Sequence, residues 1–411
     1  MKIGLLSLQS DLAEAAGVRA RWQPFWRELA ERVGGSVTPA DPERADEFDL
    51  YLVNAMTGGT ERKFVEALPR LRPPVRLLSA SFLNSLPASE EMLAFARRQG
   101  VAAELVHGTP EHVAAQLKSV ARVARLHRRL AGARAGIVGG PSDWLIASEV
   151  SSAEVAARYG VVLLTRSMEE LLEDIRAVNE ADARAQAGAW RSAAAGLREA
   201  TPGDLLGAAR MYLGLRVLCA RHDLKAVTVR CFDLLTALKN TGCMALSQLN
   251  DEGLVAGCEG DVPALVSMMM ASSLAETPAF MANIADVSPD GRELWLAHCT
   301  IAGRLTRRHV LRSHFESGRG VAIQGELAEG PVTIFRLGRP GLDHAFLCGG
   351  ELQENTDFQD SCRTQVRIRL PRGTDYFHHR PLGNHHVLAP GDLTGDLRRF
   401  LEESGATWES A

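Results

Sequence analysis

Residues 253–276 read GLVAGCEGDVPALVSMMMASSLAE, an apolar strand that reaches Cys258 and Glu259 and turns almost at once into a helix. Asp261 is placed to cap that helix, and Pro263 suits its first turn. The three adjacent methionines, Met268 to Met270, cover more than one helical face, which marks the helix as core. Glu259 differs from its neighbours. It stands at the carboxyl end of a strand and ahead of a helix, where a carboxylate points into a crevice. A strand joined so tightly to a helix is the mark of an α/β layer.

Working outward, the first third alternates short apolar runs at 2–8, 49–54 and 75–81 with amphipathic stretches, a βαβ rhythm. Val113, Leu117, Val120, Val123 and Leu126 predict a long helix over 111–129. A second α/β unit begins at Ala135, where AGIVGG runs into PSDWLIAS: a strand, a glycine turn and a helix. GGPSDW is neither GxGxxG nor a Walker loop. Ser142, Asp143 and Trp144 still occupy a strand-to-helix loop of the kind that binds small ligands, the other reading of Ser142 or Asp143 being a helix cap. Strands follow at 161–165 and 226–232, with helices at 181–199 and 204–221. After Pro278 the strands crowd together at 293–301, 321–327, 331–337, 345–352 and 364–370, as in an antiparallel sheet or barrel. The expected fold is α/β: two Rossmann-like α/β domains over 1–132 and 133–277, then a mainly antiparallel, barrel-like β domain over 278–411. The tail after Phe400 reads as a short helix with a frayed end.

Composition is ordinary for a globular chain of 411 residues, with 46% apolar and 23% charged residues and a net charge of −4. That balance gives no footing for nucleic acid or an anionic membrane surface. MKIGLLSLQS is too briefly apolar for a signal peptide, and no run reaches spanning length. Seven cysteines without CxxC spacing read as buried, reduced thiols, which predicts a cytoplasmic protein.

Three further segments carry chemistry. In FMANIADVSPDGRELWLAHCTIA, period-two alternation puts Leu294, Leu296 and His298 on one strand face, with Asn283 and Asp286 upstream as possible oxygen donors. Ser288 to Gly291 reads as the hairpin between. HHRPLGNHHVLAPGD gathers His378, His379, His385 and His386 in one loop, and adjacent histidines in extended chain face opposite ways, so one of each pair reaches a given site. Carboxylates and imidazoles from separate segments make a mixed O/N site suited to a divalent ion such as Mn²⁺. Such an ion chelating two sugar oxygens favours aldose–ketose isomerisation through an enediol. Arg230, at a strand end, is a candidate for an anionic substituent such as a sulfonate or phosphate, or for an ion pair.

CEGD at 258–261, FMANIADV at 280–287, LAHCT at 296–300 and GNHHVLAPGD at 383–392 resemble, in order, the metal-bearing segments of the L-fucose and L-arabinose isomerase superfamily. VRCFDLL at 229–235 and the GGPSDWLIAS loop extend the likeness over most of the chain. The resemblance implies Mn²⁺ or another divalent ion, with Glu259 as ligand and acid/base group and His298 and His386 as ligands. His385 would be a neighbouring or substrate contact. The acidic position after FM is Ala282 here, so Asp286, with Asn283 as its rival, is expected to supply the second carboxylate's place. A small-molecule sugar (a hexose, 6-deoxyhexose, pentose or sulfonated hexose such as sulfoquinovose) and a homo-oligomer, trimer or hexamer, whose sites a neighbour completes are further implications. A sugar-binding or regulatory protein with a degraded site, or an epimerase, is the alternative.

Overall fold

The computed structural model describes residues 1–410, whose contacts divide into two compact units, Met1–Ala124 and Arg125–Ala411. In the first, β1 (Lys2–Leu8), β2 (Ser36–Pro39), β3 (Leu50–Ala55), β4 (Val75–Ser79) and β5 (Ala103–His107) form an all-parallel sheet in the order β2-β1-β3-β4-β5. Its central strands are nearly continuous apolar runs because helices cover both faces. Ile3, Leu5 and Leu52 meet Trp22 and Leu29 of helix Ala15–Val33, and Val113 and Leu117 of helix Pro110–Leu130, in one core cluster.

The second unit opens with β6 (Arg134–Val138), β7 (Val162–Arg166), β8 (Gly196–Leu197), β9 (Leu224–Val229) and β10 (Val255–Cys258). Strands β10-β9-β6-β7 make a second parallel sheet, again Rossmann-like. The chain then changes to antiparallel hairpins: β11 (Phe280–Val287), β12 (Glu293–His298), β13 (Thr306–Arg312), β14 (Ala322–Leu327), β15 (Gly330–Gly338), β16 (His344–Thr356), β17 (Thr364–Arg369) and β18 (His385–Pro390). The order β15-β18-β11-β12-β17-β16 closes on itself because β15 also pairs with β16, so six strands make a barrel without free edges. A last strand, β19 (Thr407–Glu409), joins β16 in parallel, and β8 lies beside the β13–β14 hairpin.

Helix Val262–Ala275 is apolar all round because it is covered on both sides, by β9 and β10 of the parallel sheet and by β15 and β18 of the barrel. It fixes the end of β10 against the barrel. Three local expectations are corrected. No helix follows Gly140: residues 141–150 form turns, and the next helix, Ser152–Tyr159, is capped by Ser151. Gly139 and Gly140 both take left-handed backbone, Pro141 follows, and the Ser142 N–H is spent on the Glu259 carbonyl, so no helix can nucleate there. The four-histidine segment is not one loop, since His378 and His379 end a short helix, Asp375–His379, and His385 begins β18. After Phe400 the chain completes helix Thr394–Glu403 and adds β19. Among the described residues no helix is long and apolar enough to cross a membrane.

Candidate metal centre

Immediately after β10, Glu259 takes left-handed backbone (φ +61), which costs a non-glycine residue about 1 kcal/mol or more and is held only by its surroundings. Those surroundings are visible. Gly260 also has positive φ (+71), and a Cβ there would stand 2.4 Å from the Gly140 carbonyl oxygen. The Ser142 N–H donates to the Glu259 carbonyl at 3.1 Å, and the Gly260 N–H to that of Val229 at 3.1 Å. Two strand ends and the 139–142 loop thus clamp the turn that aims the Glu259 carboxylate.

That carboxylate is 13% exposed. The Trp144 indole N–H donates to its Oε2 at 2.7 Å, while Oε1 faces His385 Nε2 at 3.5 Å and His298 Nε2 at 3.9 Å. Burial opposes its ionisation, yet the two imidazoles outweigh burial and hold the carboxyl well below its usual range. Each imidazole is fixed from behind. The Thr300 hydroxyl lies 2.9 Å from His298 Nδ1, and Asp261 Oδ2 lies 3.0 Å from His385 Nδ1. Asp261 is wholly buried and does three things: Oδ1 accepts from Ala264 N–H as the helix cap, and Oδ2 meets both His385 and the buried Arg336 guanidinium, 3.2 Å away. Burial pushes its pKa up, but Arg336 and His385 bring it to about 2. His385 shows the complement, with burial lowering its pKa and Asp261 and Glu259 raising it to about 9.

Glu259, His298 and His385 offer donor atoms within 4.8 Å of one another. Donors on a single ion at bond lengths near 2.1 Å stand roughly 3–4 Å apart, so side-chain adjustment below about an ångström completes such a site. The chemistry of the set fits. His385 Nε2 is buried and makes no hydrogen bond, its nearest polar neighbour being Glu259 Oε1 at 3.5 Å, so once its proton leaves, the nitrogen has a lone pair that no protein donor meets. Its Nδ1 is already on a carboxylate, the arrangement that orients a metal-ligating imidazole. Two imidazoles and one carboxylate leave coordination positions open. Glu259 and His298 line a cavity of about 380 Å³ together with Trp144, Phe232, Asn283 and Asn384, within the usual range for a small-molecule site.

Of the two adjacent histidines, His385 and not His386 stands beside Glu259 and His298. Antiparallel pairing sets His385 opposite Asn283 and His386 opposite Ala282, so their rings leave opposite faces of β18. His386 points away from Glu259 into an aromatic nest of Tyr376, Phe346 and Phe377, with the Tyr376 hydroxyl 3.1 Å from its Nε2. Burial, aided by the Arg336 charge, pulls its pKa down to about 3. Asp286 is not brought to the cluster either. A bulge between Ile284 and Asp286 shifts the β11 register, leaving Asp286 exposed with Oδ1 accepting from the Val287 N–H. Asn283 does line the cavity, where the Asn384 amide donates to its Oδ1 at 3.1 Å. Ser142 is buried beside Glu259 with its hydroxyl unpaired. Arg230 grips both oxygens of Asp143 at 3.0 and 2.6 Å and reaches Asp233 at 3.2 Å, an ion pair that does not line the cavity. Residue types had not singled out Thr300, Arg336, Asn384 or Glu316; Thr300, two residues beyond His298, and Asn384, next to His385, carried a local hint by lying in the same segments.

Residues 147–275 match the family model of the L-arabinose isomerase central domain. A sulfoquinovose isomerase from Alkalicoccus urumqiensis is 23% identical over 195 residues, 45% of this chain and 44% of that protein. The match therefore spans less than half of that relative. Sulfoquinovose isomerases from Priestia aryabhattai and Priestia megaterium are each 22% identical over 380 residues, 87% of this chain and 84% of theirs. The likeness is thus to the central domain of L-arabinose isomerase over the middle of the chain, and to sulfoquinovose isomerases at low identity over most of it.

Proposed function

We propose that this chain interconverts an aldose and a ketose with the help of a divalent ion, Mn²⁺ first among the candidates, held by Glu259, His298 and His385. The observation that carries the reading is His385 Nε2: buried, unpartnered, oriented by Asp261 and aimed at the same carboxylate oxygen that His298 faces. A bound ion would polarise the sugar carbonyl and acidify the neighbouring hydroxyl. The chain's own groups do the rest. Trp144 pins one oxygen of Glu259, which keeps the other turned to the imidazoles. Glu259 and Glu316 are the two carboxylates lining the cavity, and moving protons between adjacent carbons and oxygens of an enediol calls for acid/base groups of that type. Asn283 and Asn384 offer hydrogen bonds to sugar hydroxyls.

The substrate belongs to the free hexoses, 6-deoxyhexoses, pentoses or sulfonated hexoses. The relatives' names favour the last class; the lining of the cavity, which contains no lysine or arginine, favours the neutral ones. Assembly into a trimer or hexamer is part of the same proposal, supported by Ile146, 91% exposed next to the Trp144 loop, and sedimentation analysis tests it. One observation favours a second reading, a sugar-binding protein without turnover: Ala282 stands where an acid was expected and Asp286 lies outside the cavity. The deciding experiment strips the protein with chelator, restores Mn²⁺ and follows ketose formation over a panel of neutral aldoses and their 6-sulfonated forms. Turnover that needs the ion supports isomerisation. Activity surviving ion removal, or binding without turnover across the panel, rejects it.

A further inference from the structure

Five of the chain's seven cysteines line the cavity that holds Glu259 and His298: Cys231, Cys243, Cys258, Cys299 and Cys362. Buried thiols used only as small apolar fillers have no reason to collect on one wall. Two of them touch. Cys258 is the last residue of β10 and pairs with Val229 of β9, and two residues after Val229 the helix Cys231–Leu238 begins. The carboxyl ends of two neighbouring parallel strands therefore bring the sulfurs together, and Cys258 Sγ donates to Cys231 Sγ at 3.1 Å.

We propose that Cys231 and Cys258 form a reversible redox pair, closed to a disulfide by hydroperoxides entering the cavity, and that closure displaces Glu259. One sulfur attacks a peroxide oxygen, the O–O bond breaks, and the thiol proton leaves with the departing alkoxide or hydroxide as alcohol or water. The sulfenic acid so formed is attacked by the second sulfur, the S–O bond breaks and water departs with the second thiol's proton. The two sulfurs give up two electrons, which reduce the peroxide, and a dithiol reverses the bond by exchange. A disulfide is about 2.05 Å long, so the sulfurs must close by about 1 Å. Cys258 is bonded directly to Glu259, which sits at φ +61 ahead of Gly260, where even a Cβ would meet the Gly140 carbonyl at 2.4 Å, so movement of the Cys258 backbone carries Glu259 with it. Displacing a reacting or ligating group by that distance is worth about a hundredfold in rate.

The thiol link rests on the positions of the two sulfurs alone, whereas its effect on ion binding rests on the proposed site at Glu259, so the peptide map and the Mn²⁺ titration fail separately. Its test is direct: the full-length chain is treated with hydrogen peroxide, free thiols are alkylated, and intact mass and non-reducing peptide maps are recorded. The expected result is two thiols lost from seven, a mass lower by about 2 Da before alkylation, and a link between the Cys231 and Cys258 peptides that dithiothreitol removes. The oxidised form should also bind Mn²⁺ more weakly than the reduced form, and Cys231→Ser should abolish the link. Should that variant fail to fold, the map of the unaltered chain decides alone. Seven alkylatable thiols after peroxide, a Cys299–Cys362 link in its place, or a linked form with unaltered Mn²⁺ affinity would each overturn the proposal.

Discussion

Replacing Asp261 by asparagine separates its cap on the helix from its pairing with Arg336 and His385. The amide oxygen can still accept from the Ala264 N–H, so the helix keeps its cap. The second oxygen becomes an NH₂ group facing two donors, the Arg336 guanidinium at 3.2 Å and His385 Nδ1 at 3.0 Å. Arg336 is fully buried and retains only the His385 carbonyl at 2.5 Å and the Ser148 hydroxyl at 3.0 Å. Leaving such a charge without its counter-ion costs about 3–5 kcal/mol, a large part of the 5–15 kcal/mol that holds a typical domain, and lowers the melting temperature by roughly 10 °C. Losing the carboxylate behind a ligating imidazole should also weaken Mn²⁺ binding about 10–100-fold. The carboxyl is depressed from 3.8 to about 2, so its contribution is complete above pH 4 and lost as pH falls through 2. That is about 2 kcal/mol by linkage, and the stability gap between parent and Asp261→Asn should narrow by this amount over the interval. Scanning fluorimetry from pH 2 to 7 and Mn²⁺ titration calorimetry read both effects. A variant that melts within 2 °C of the parent and binds Mn²⁺ equally well would refute the reasoning, because neither the buried pair nor the imidazole would then depend on Asp261.

Four other outcomes follow from the same geometry. His385→Gln should abolish measurable Mn²⁺ binding, whereas His386→Gln should leave it intact and cost about 1–3 kcal/mol, because the buried Tyr376 hydroxyl keeps the Leu382 N–H but loses its contact with the imidazole; calorimetry and melting curves of both variants distinguish the rings. Mn²⁺ must displace the proton on His385, whose pKa in the ion-free chain is raised from 6.5 to about 9, so affinity should climb about tenfold per pH unit between those values and level off above. The ion-free chain, by the same raised value, is most stabilised below pH 6.5 and loses about 3 kcal/mol as pH passes 9, a trend that chemical denaturation at fixed pH would expose or exclude. Gly260→Ala forces a Cβ to within 2.4 Å of the Gly140 carbonyl at φ +71, and should lower stability by more than about 1 kcal/mol and weaken ion binding; a variant with parental affinity would show that the 139–142 loop does not position Glu259.

Glu259 and His298 were legible because both obey local grammar: an apolar run ending in a polar residue before a helix, and a period-two strand with its histidine at the end. The rest of the site is non-local. Alternation says that only one of His385 and His386 can face Glu259, but which one depends on pairing with β11, more than a hundred residues upstream. The same strand shows why Asp286 misled. It was expected only because Ala282 stands where an acid belongs and a second carboxylate was called for, whereas it lies past a bulge, exposed, with its side chain turned back to the Val287 N–H. β18 hid for another reason: five of its six residues are buried, so it carries no alternation to distinguish strand from loop. Helix Val262–Ala275 gave the reverse case, since a helix apolar on every side has to be enclosed. Its enclosure explains the double duty of Asp261. A helix buried against both the parallel sheet and the barrel cannot leave its first N–H groups to water, so it requires an internal cap, and a charged cap there requires Arg336. The carboxylate that the core needs for its own satisfaction is the one that orients His385, which makes ion affinity and the stability of this core respond together to any change at that position.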